Sequence, residues 1–492
     1  MEKYILSIDQ GTTSSRAILF DEKGVARFKA QREIELIYPQ SGWVEEDALE
    51  VYSSVIDVIN EVLIRNNLSL ENIDSIGITN QRETTVIWDK RTGLPVSNAI
   101  VWQSRQSQQI CDALESKKDY IQQKTGLIIN PYFSASKIRF ILDKYHLQDE
   151  AEKGHLLFGT IDSWLIYKLT LGKVHATDVT NASRTLLYNI FTNDWDDDLL
   201  KLFNIPRCML PKIHECSYHY GDATLMFSSI TLPITGVAGD QQASLFGQTC
   251  FNKGDIKNTY GTGCFALMNI GEKPIISKNG LLTTVAWKLN GKTTYALEGS
   301  IFIGGAAVQW LRDQMKMINK SSDSEVSARK VDDSYGVYVV PAFVGLGTPY
   351  WDDEARGAVF GLTRATNKYH FIRATLEAIA YQSKDLIETI KKDSKISLNS
   401  LNVDGGATAN DYLMQFQSDI LEIQINLPLC LETTALGVAY FAGLSTGFYK
   451  STEDIKKTHN IVKVFTPKMS SKEVKNRYKK WKIAVKATRV FK

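Results

Sequence analysis

Ile5-Leu6-Ser7-Ile8-Asp9-Gln10-Gly11-Thr12-Thr13-Ser14-Ser15-Arg16, followed by Ala17-Ile18-Leu19-Phe20, is an apolar strand, a small polar turn and a second apolar strand. That grammar predicts a hairpin. Its turn has unusual chemistry. Gly11 lets the backbone approach a ligand closely, and hydroxyls with free N–H groups crowd one small space, an anion-binding concavity. Arg16 adds a fixed positive charge, and Asp9 closes the first strand where a hydrated divalent cation could be held. Phosphates with magnesium suit such a turn; an ordinary Ser/Thr-rich hairpin would suit these residues equally well.

A second copy of the pattern shifts the balance. Ile256–Tyr260, Gly261-Thr262-Gly263 and Cys264–Asn269 again read strand, Gly/Thr turn, strand. Two such hairpins, far apart in the chain, predict two similar halves gripping one polyphosphate in a cleft that closes between them.

At 492 residues the chain exceeds one hydrophobic core, so at least two domains are expected. Its 43% hydrophobic and 23% charged content is that of a soluble globular protein, and a net charge of +2 gives no electrostatic case for nucleic acid. The six cysteines show no framework spacing, which points to a reducing compartment. With no apolar leader and no run long enough to span a bilayer, a cytoplasmic protein without a transmembrane segment is expected.

Along the chain, Ala48–Arg65 places Val51, Val55, Val58, Ile59 and Val62 on one helical face, with Asp47 and Glu50 as a capping box. Ile73–Thr79 reads as a buried strand ending in Asn80-Gln81-Arg82-Glu83, and strand ends are where α/β folds place ligand contacts. Arg82 and Glu83 suit a surface ion pair, or a polyol that needs both a donor fork and an acceptor. Asn98–Trp102 reads as a further strand. Tyr132 precedes a helix over 135–144. Thr235–Ala238 leads into Gly239-Asp240-Gln241-Gln242, where Asp240 could serve as a general base or as a helix cap. Gly299–Arg312 is a Gly-rich helix entry, and Gly405-Gly406 opens another helix. The basic segment Lys472–Lys492 predicts a terminal helix packed through Val474, Tyr478, Trp481 and Val485. Cys208, His214, Cys216 and His219 lie close together, but their spacings fit no common zinc site.

Taken together, Asp9–Arg16, Gly77–Thr84, Gly239–Gln242, Thr259–Gly263 and Asp404–Gly406, with Gly357, Gly361-Leu362, His370-Phe371 and Glu377, resemble the FGGY carbohydrate kinases over essentially the whole chain. One departure is Phe140, where the family usually carries Trp. The resemblance implies an α/β protein of two actin-like (ribonuclease H-like) ATPase domains, 1–249 and 250–492, with a catalytic cleft between them. It implies ATP-dependent phosphorylation of glycerol to sn-glycerol 3-phosphate, with Asp240 as base and Mg²⁺ at Asp9. Glycerol would be held by Arg82, Glu83, Tyr132, Asp240 and Gln241, walled by Trp102 and Phe265. Nucleotide contacts would be Thr12, Thr13, Ser14, Arg16, Thr262, Gly305, Gln309, Gly406 and Asn410. A homo-oligomer, dimer or tetramer, is expected with it. A relative acting on a pentulose or hexonate would share the phosphate turns but not the Asn-Gln-Arg-Glu strand end with Trp102, Tyr132 and Phe265. An actin-like chaperone or filament ATPase would need a peptide-binding domain or a polymer surface, and no segment is left over for the former.

Some family members are inhibited by fructose 1,6-bisphosphate through a Gly/Arg loop before the strand leading to the catalytic Asp, or activated by phosphorylation of a His there. Here that region, Asp222–Pro233, contains no Arg, Lys or His. A bisphosphate needs cationic donors to offset its charge and desolvation. Millimolar fructose 1,6-bisphosphate is therefore expected to leave the rate of phosphoryl transfer unchanged in a steady-state assay; clear inhibition would overturn that expectation.

Overall fold

The computed structural model describes residues 2–225 and 229–491. Strands β1 (Tyr4–Gln10) and β2 (Ser14–Phe20) form the predicted hairpin, with Asp9 directly across from Arg16 and the Gly11 N–H donating to the Ser14 carbonyl at 2.9 Å. β3 (Ala26–Glu33) continues the meander on the outer edge of β2. On the other edge of β1, β4 (Ile73–Asn80) pairs in parallel. β5 (Ser217–Thr224) and β6 (Thr231–Gly239) complete a six-stranded sheet in the order β5-β6-β4-β1-β2-β3. Part of the Asp222–Pro233 region, Met226–Ser228, lies outside the described residues.

Helix α1 (Ala48–Arg65) covers β2 and β3 with the predicted valine and isoleucine face. Asp47 caps it alone, by accepting from the Leu49 N–H; Glu50, expected to reciprocate, instead takes the Glu35 N–H. The expected strand at Asn98–Trp102 shrinks to Ala99–Ile100, because the Trp102 N–H donates to Thr84 Oγ1 rather than to a strand neighbour. Phe140 packs edge-on against Trp43 at 5.4 Å, so the smaller ring still closes its packing site.

Helix α2 (Asp240–Gly247) leaves β6 and leads through a polar turn into the second sheet. Its strands are β7 (Ile256–Tyr260), β8 (Cys264–Gly271), β9 (Leu282–Leu289), β10 (Lys292–Ile301), β11 (Ser400–Asp404), β12 (Gln424–Pro428) and β13 (Ile461–Phe465), in the order β9-β10-β8-β7-β11-β12-β13. The plan repeats that of the first sheet. A central hairpin is flanked on one side by an antiparallel meander and on the other by a parallel strand. The expected helix entry at Gly299 is instead the end of β10. Helix begins only at Ala306, because the N–H groups of Gly304 and Gly305 are held by the carbonyls of Thr262 and Gly261.

Helix α3 (Lys368–Ser394) packs on this sheet. Helix α4 (Thr433–Thr446) crosses to the first sheet, where Ser7 Oγ donates to the Ala435 carbonyl at 2.8 Å and Ser217 Oγ to that of Phe441 at 2.9 Å. The terminal helix α5 (Ser471–Val490) is basic outside and anchored inside. Buried Asp385 of α3 accepts from Tyr478 and Tyr350 hydroxyls, from Trp481 Nε1 at 2.8 Å and from Lys482.

The two halves meet where α2 crosses α4 at near backbone contact. A Cβ on Gly437 would stand 1.9 Å from the Ala243 carbonyl oxygen, and one on Gly247 would stand 2.0 Å from that of Thr433. Only glycine allows this approach. Gly437→Ala is expected to destabilise the protein by about 1–3 kcal/mol, the usual cost of overpacking a close contact, read as a lower urea midpoint. An unchanged midpoint would show that the crossing can open freely.

Candidate functional site

The C-terminal ends of β4 and β6 deliver the two polar segments read from the sequence, Gln81–Glu83 and Asp240–Gln242, to the same place. Gly239 is what lets them meet: a Cβ there would lie 2.8 Å from the Arg82 side chain. Arg82 and Glu83 are both buried, which rules out a surface pair. Their mutual contact is the weakest in the cluster, at 3.9 Å. Arg82 instead forks onto Glu298 of β10, with Nη1 at 2.6 Å and Nη2 at 2.9 Å, while its Nε reaches Asp240 Oδ1 at 3.1 Å and Nη1 also donates to Gln242. Glu83, held at φ 62°, is paired by Arg184 Nε at 2.6 Å, and Arg184 reaches on to Glu298 at 3.1 Å. Two guanidiniums and two carboxylates thus form one buried ring spanning both sheets.

The two carboxylates are driven apart. Burial disfavours charge on Glu298, but Arg184 and Arg82 together override it and hold the group down at about 2. At Glu83 burial prevails over the same two cations and the pKa is raised.

Asp240 is the first residue of α2, not its cap; Gly239 occupies the cap position. Its Oδ1 is ion-paired with Arg82 Nε and accepts from the Gln241 N–H at 2.6 Å, while Oδ2 accepts no hydrogen bond among the described residues. About a third of the side chain is exposed. This is a carboxylate anchored by one oxygen. Gln241 is buried and accepts from the Lys257 ammonium at 2.5 Å.

Trp102 and Tyr132 meet edge to face at 5.4 Å, and the Arg184 guanidinium lies over the Tyr132 ring. Trp102 Nε1 donates to Thr12 Oγ1 at 2.9 Å, tying this aromatic corner to the first hairpin turn. In that turn Thr12 and Thr13 are accessible and Ser14 is buried. Arg16 is drawn back by Asp9 at 3.6 Å and Glu432 at 2.8 Å. Burial pushes the Asp9 carboxyl up to about 6; Arg16 opposes this, and the charges of Glu432 and Asp240 add to it.

The second turn presents Thr262 to solvent, and Phe265 lies half-buried on β8. The chain at Gly305 packs on this turn; a Cβ at Gly305 would stand 2.7 Å from the Gly261 carbonyl oxygen. Gln309 is exposed on the helix Ala306–Asp313. Gly405, at φ 91°, abuts the Tyr260 backbone at the root of the same turn, whereas a Cβ on Gly406 would meet nothing within 4 Å. Asn410 caps the helix Asp411–Leu421 through the Leu413 N–H.

Three members of the cluster were not singled out in the sequence: Arg184, Glu298 and Lys257. Each is a full charge that is buried, and such charges are rarely buried unless paired. Only Glu298, the one charge within Thr293–Ile301, gave a signal in the sequence. Among the described residues no group of three or more His, Cys, Asp or Glu side chains could hold a metal ion. Cys216 donates to Asp178, His214 stacks on Tyr218, and His219 pairs with Asp222. No helix of the described residues is long and apolar enough to cross a membrane.

Models of the FGGY family of carbohydrate kinases match the chain in two parts, the N-terminal domain over residues 4–247 and the C-terminal domain over 256–446. Glycerol kinase of Staphylococcus haemolyticus is 56% identical over 496 residues, covering 100% of this chain and 99% of the relative. Glycerol kinase of Listeria monocytogenes is 56% identical over 495 residues, covering 100% of both. Among solved structures, Plasmodium falciparum glycerol kinase with ADP superposes with a TM-score of 0.93 at 37% identity, over 99% of this chain and 98% of that one. Gluconate kinase from Lactobacillus acidophilus shares the fold at a TM-score of 0.88 and 22% identity, over 100% of this chain and 98% of that one. With two such domains in order and full-length relatives at this identity, the chain belongs to the FGGY family of carbohydrate kinases.

Proposed function

We propose that the protein transfers the γ-phosphoryl group of ATP to a terminal hydroxyl of glycerol, giving sn-glycerol 3-phosphate. The observation that carries this reading is the placement of Asp240. Its Oδ2 accepts no hydrogen bond among the described residues, while Oδ1 is paired with the buried Arg/Glu ring; that ring's Arg184 lies over Tyr132, whose neighbour Trp102 is hydrogen-bonded to the first phosphate turn. Full-length relatives named glycerol kinase support it.

In this reading Arg82 and Glu83 supply a donor and an acceptor for the polyol, with Tyr132 and Gln241 completing the contacts and Trp102 and Phe265 walling the carbon skeleton. Because Arg82 and Glu83 are held by Glu298 and Arg184, they meet the substrate already oriented, with little left to reorganise. Asp240 accepts the proton of the attacking hydroxyl at Oδ2. The nucleotide lies across both turns, its phosphates at Thr12, Thr13, Ser14 and Arg16 on one side and Thr262 on the other, and its nucleoside near Gly305, Gln309, Gly406 and Asn410. Amides and hydroxyls of these turns offset charge on the transferring group. The two units, 1–249 and 250–492, close over both substrates and exclude water, the competing nucleophile.

Mg²⁺ would be held at Asp9. The donor set fits: one buried carboxylate raised by burial lacks sufficient cationic compensation, and magnesium commonly takes one or two carboxylates with phosphate oxygens and water filling its shell. Bound there with ATP, the ion would neutralise charge on the phosphates.

Product analysis on a panel of polyols, pentuloses and hexonates tests the acceptor. Glycerol is expected to give the highest kcat/KM, and a pentulose ranked far above it would end the proposal. Asp240→Asn is expected to lower kcat by ~10²–10⁴-fold, the range typical of a lost general base, with nucleotide affinity retained. Near wild-type turnover in that variant would remove Asp240 from the chemistry.

A further inference from the structure

Away from the cleft, the strands Ala176–Asp178 and Lys212–His214 pair in parallel and form, with the end of helix Ile161–Leu169 and the start of β5, the wall of a cavity of about 620 Å³. Lys90, Lys173 and Lys212 line it, together with His175, His214 and Tyr218. No carboxylate is among its lining residues. None of the three lysines makes an ion pair among the described residues.

Nearby acidic groups are engaged elsewhere. Asp89, next to Lys90, is turned onto Arg91 at 2.5 Å; Glu150 serves Arg91, Lys153 and His155; Glu215 accepts from the Gly291 N–H. At the mouth, Asp222 is held by His219. The walls are fixed. His175 Nε2 lies 2.7 Å from the Phe158 carbonyl oxygen with its ring edge-on to Trp88, and His214 stacks on Tyr218 with ring centroids 4.0 Å apart. Burial lowers the pKa of both imidazoles, His175 to about 4, so the positive charge comes from the lysines and the rings act as neutral polar walls.

We propose that this cavity is a second anion site, recognising the phosphate group of a small phosphate monoester or free phosphate. Three uncompensated ammonium groups around one concavity suit a compact, multiply charged anion, for which lysine acts as a point charge without needing a planar fork. The volume falls within the range of small-ligand pockets and exceeds what a bare phosphate fills. Nucleic acid and acidic protein surfaces are less suitable occupants, since the charge lines a cavity rather than a face.

The test is site-resolved acetylation of lysines in the full-length protein, read by peptide mass spectrometry, at matched ionic strength in sodium chloride. Inorganic phosphate or glucose 6-phosphate at millimolar concentration is expected to slow acetylation of Lys90, Lys173 and Lys212 together by several-fold, while glucose leaves them unchanged. Protection by both compounds identifies free phosphate as sufficient; protection by glucose 6-phosphate alone identifies an ester. A Lys173→Gln, Lys212→Gln variant should lose protection at Lys90 and keep its glycerol-phosphorylating activity, which separates this site from the cleft. Equal labelling with and without the phosphate compounds, or protection that survives in the variant, would overturn the proposal.

Discussion

The two-pronged contact between Arg82 and Glu298 is the constraint on which the site depends. It joins the end of a strand in one sheet to the middle of a strand in the other, with both side chains almost wholly removed from solvent. Such a pair is not a reliable source of stability, because desolvating two ions costs about as much as their attraction returns. Its value is geometric. Removing one partner would leave a buried charge uncompensated, typically at a cost of about 3–5 kcal/mol, so the arrangement tolerates few alternatives. Arg184 and Glu83 extend it into a ring in which formal charges cancel, and Asp240 joins it through one oxygen.

Around that ring the fold repeats one device twice. Each sheet carries a central hairpin whose turn contains glycine and threonine. A turn is cheap to build and its N–H groups are unclaimed by the ladder, so it can offer donors without disrupting the sheet. Arg16 shows the complementary strategy. Asp9 and Glu432 hold the guanidinium, so its charge is kept in place rather than free to wander.

The hairpins were legible in the sequence because their signals are local: an apolar run, a Gly/Thr turn, an apolar run. So were α1 and the terminal helix, from faces of period 3.6. The segments at Arg82-Glu83 and Asp240-Gln241 were visible as polar residues at strand ends, and the structure brings them together. What escaped was whatever depends on distant partners. Glu298 and Arg184 are single charges among uncharged neighbours, and nothing nearby says which opposite charge each will find. Gly299 suggested a helix start, yet the strand runs on to Ile301 because the following glycines are bound by the second turn's carbonyls. The attachment of α4 to the first sheet has only a faint local trace, Gly437 within a run of small and apolar residues. Its meaning lies in a carbonyl nearly 200 residues away.

That attachment has a consequence for how the protein is made. The first sheet is complete in sequence at Gly239, but its covering helix begins only at Thr433. At a synthesis rate of ~5–20 residues per second, the ribosome needs roughly 10–40 s to add the intervening stretch of about 190 residues. Throughout that interval the face around Gly77 and Gly236, later sealed by Val438 and Ala442, stands open to water. The nascent chain is therefore most vulnerable to sticking or cleavage after its first half has emerged. A fragment ending near residue 249 would carry the same bare surface permanently.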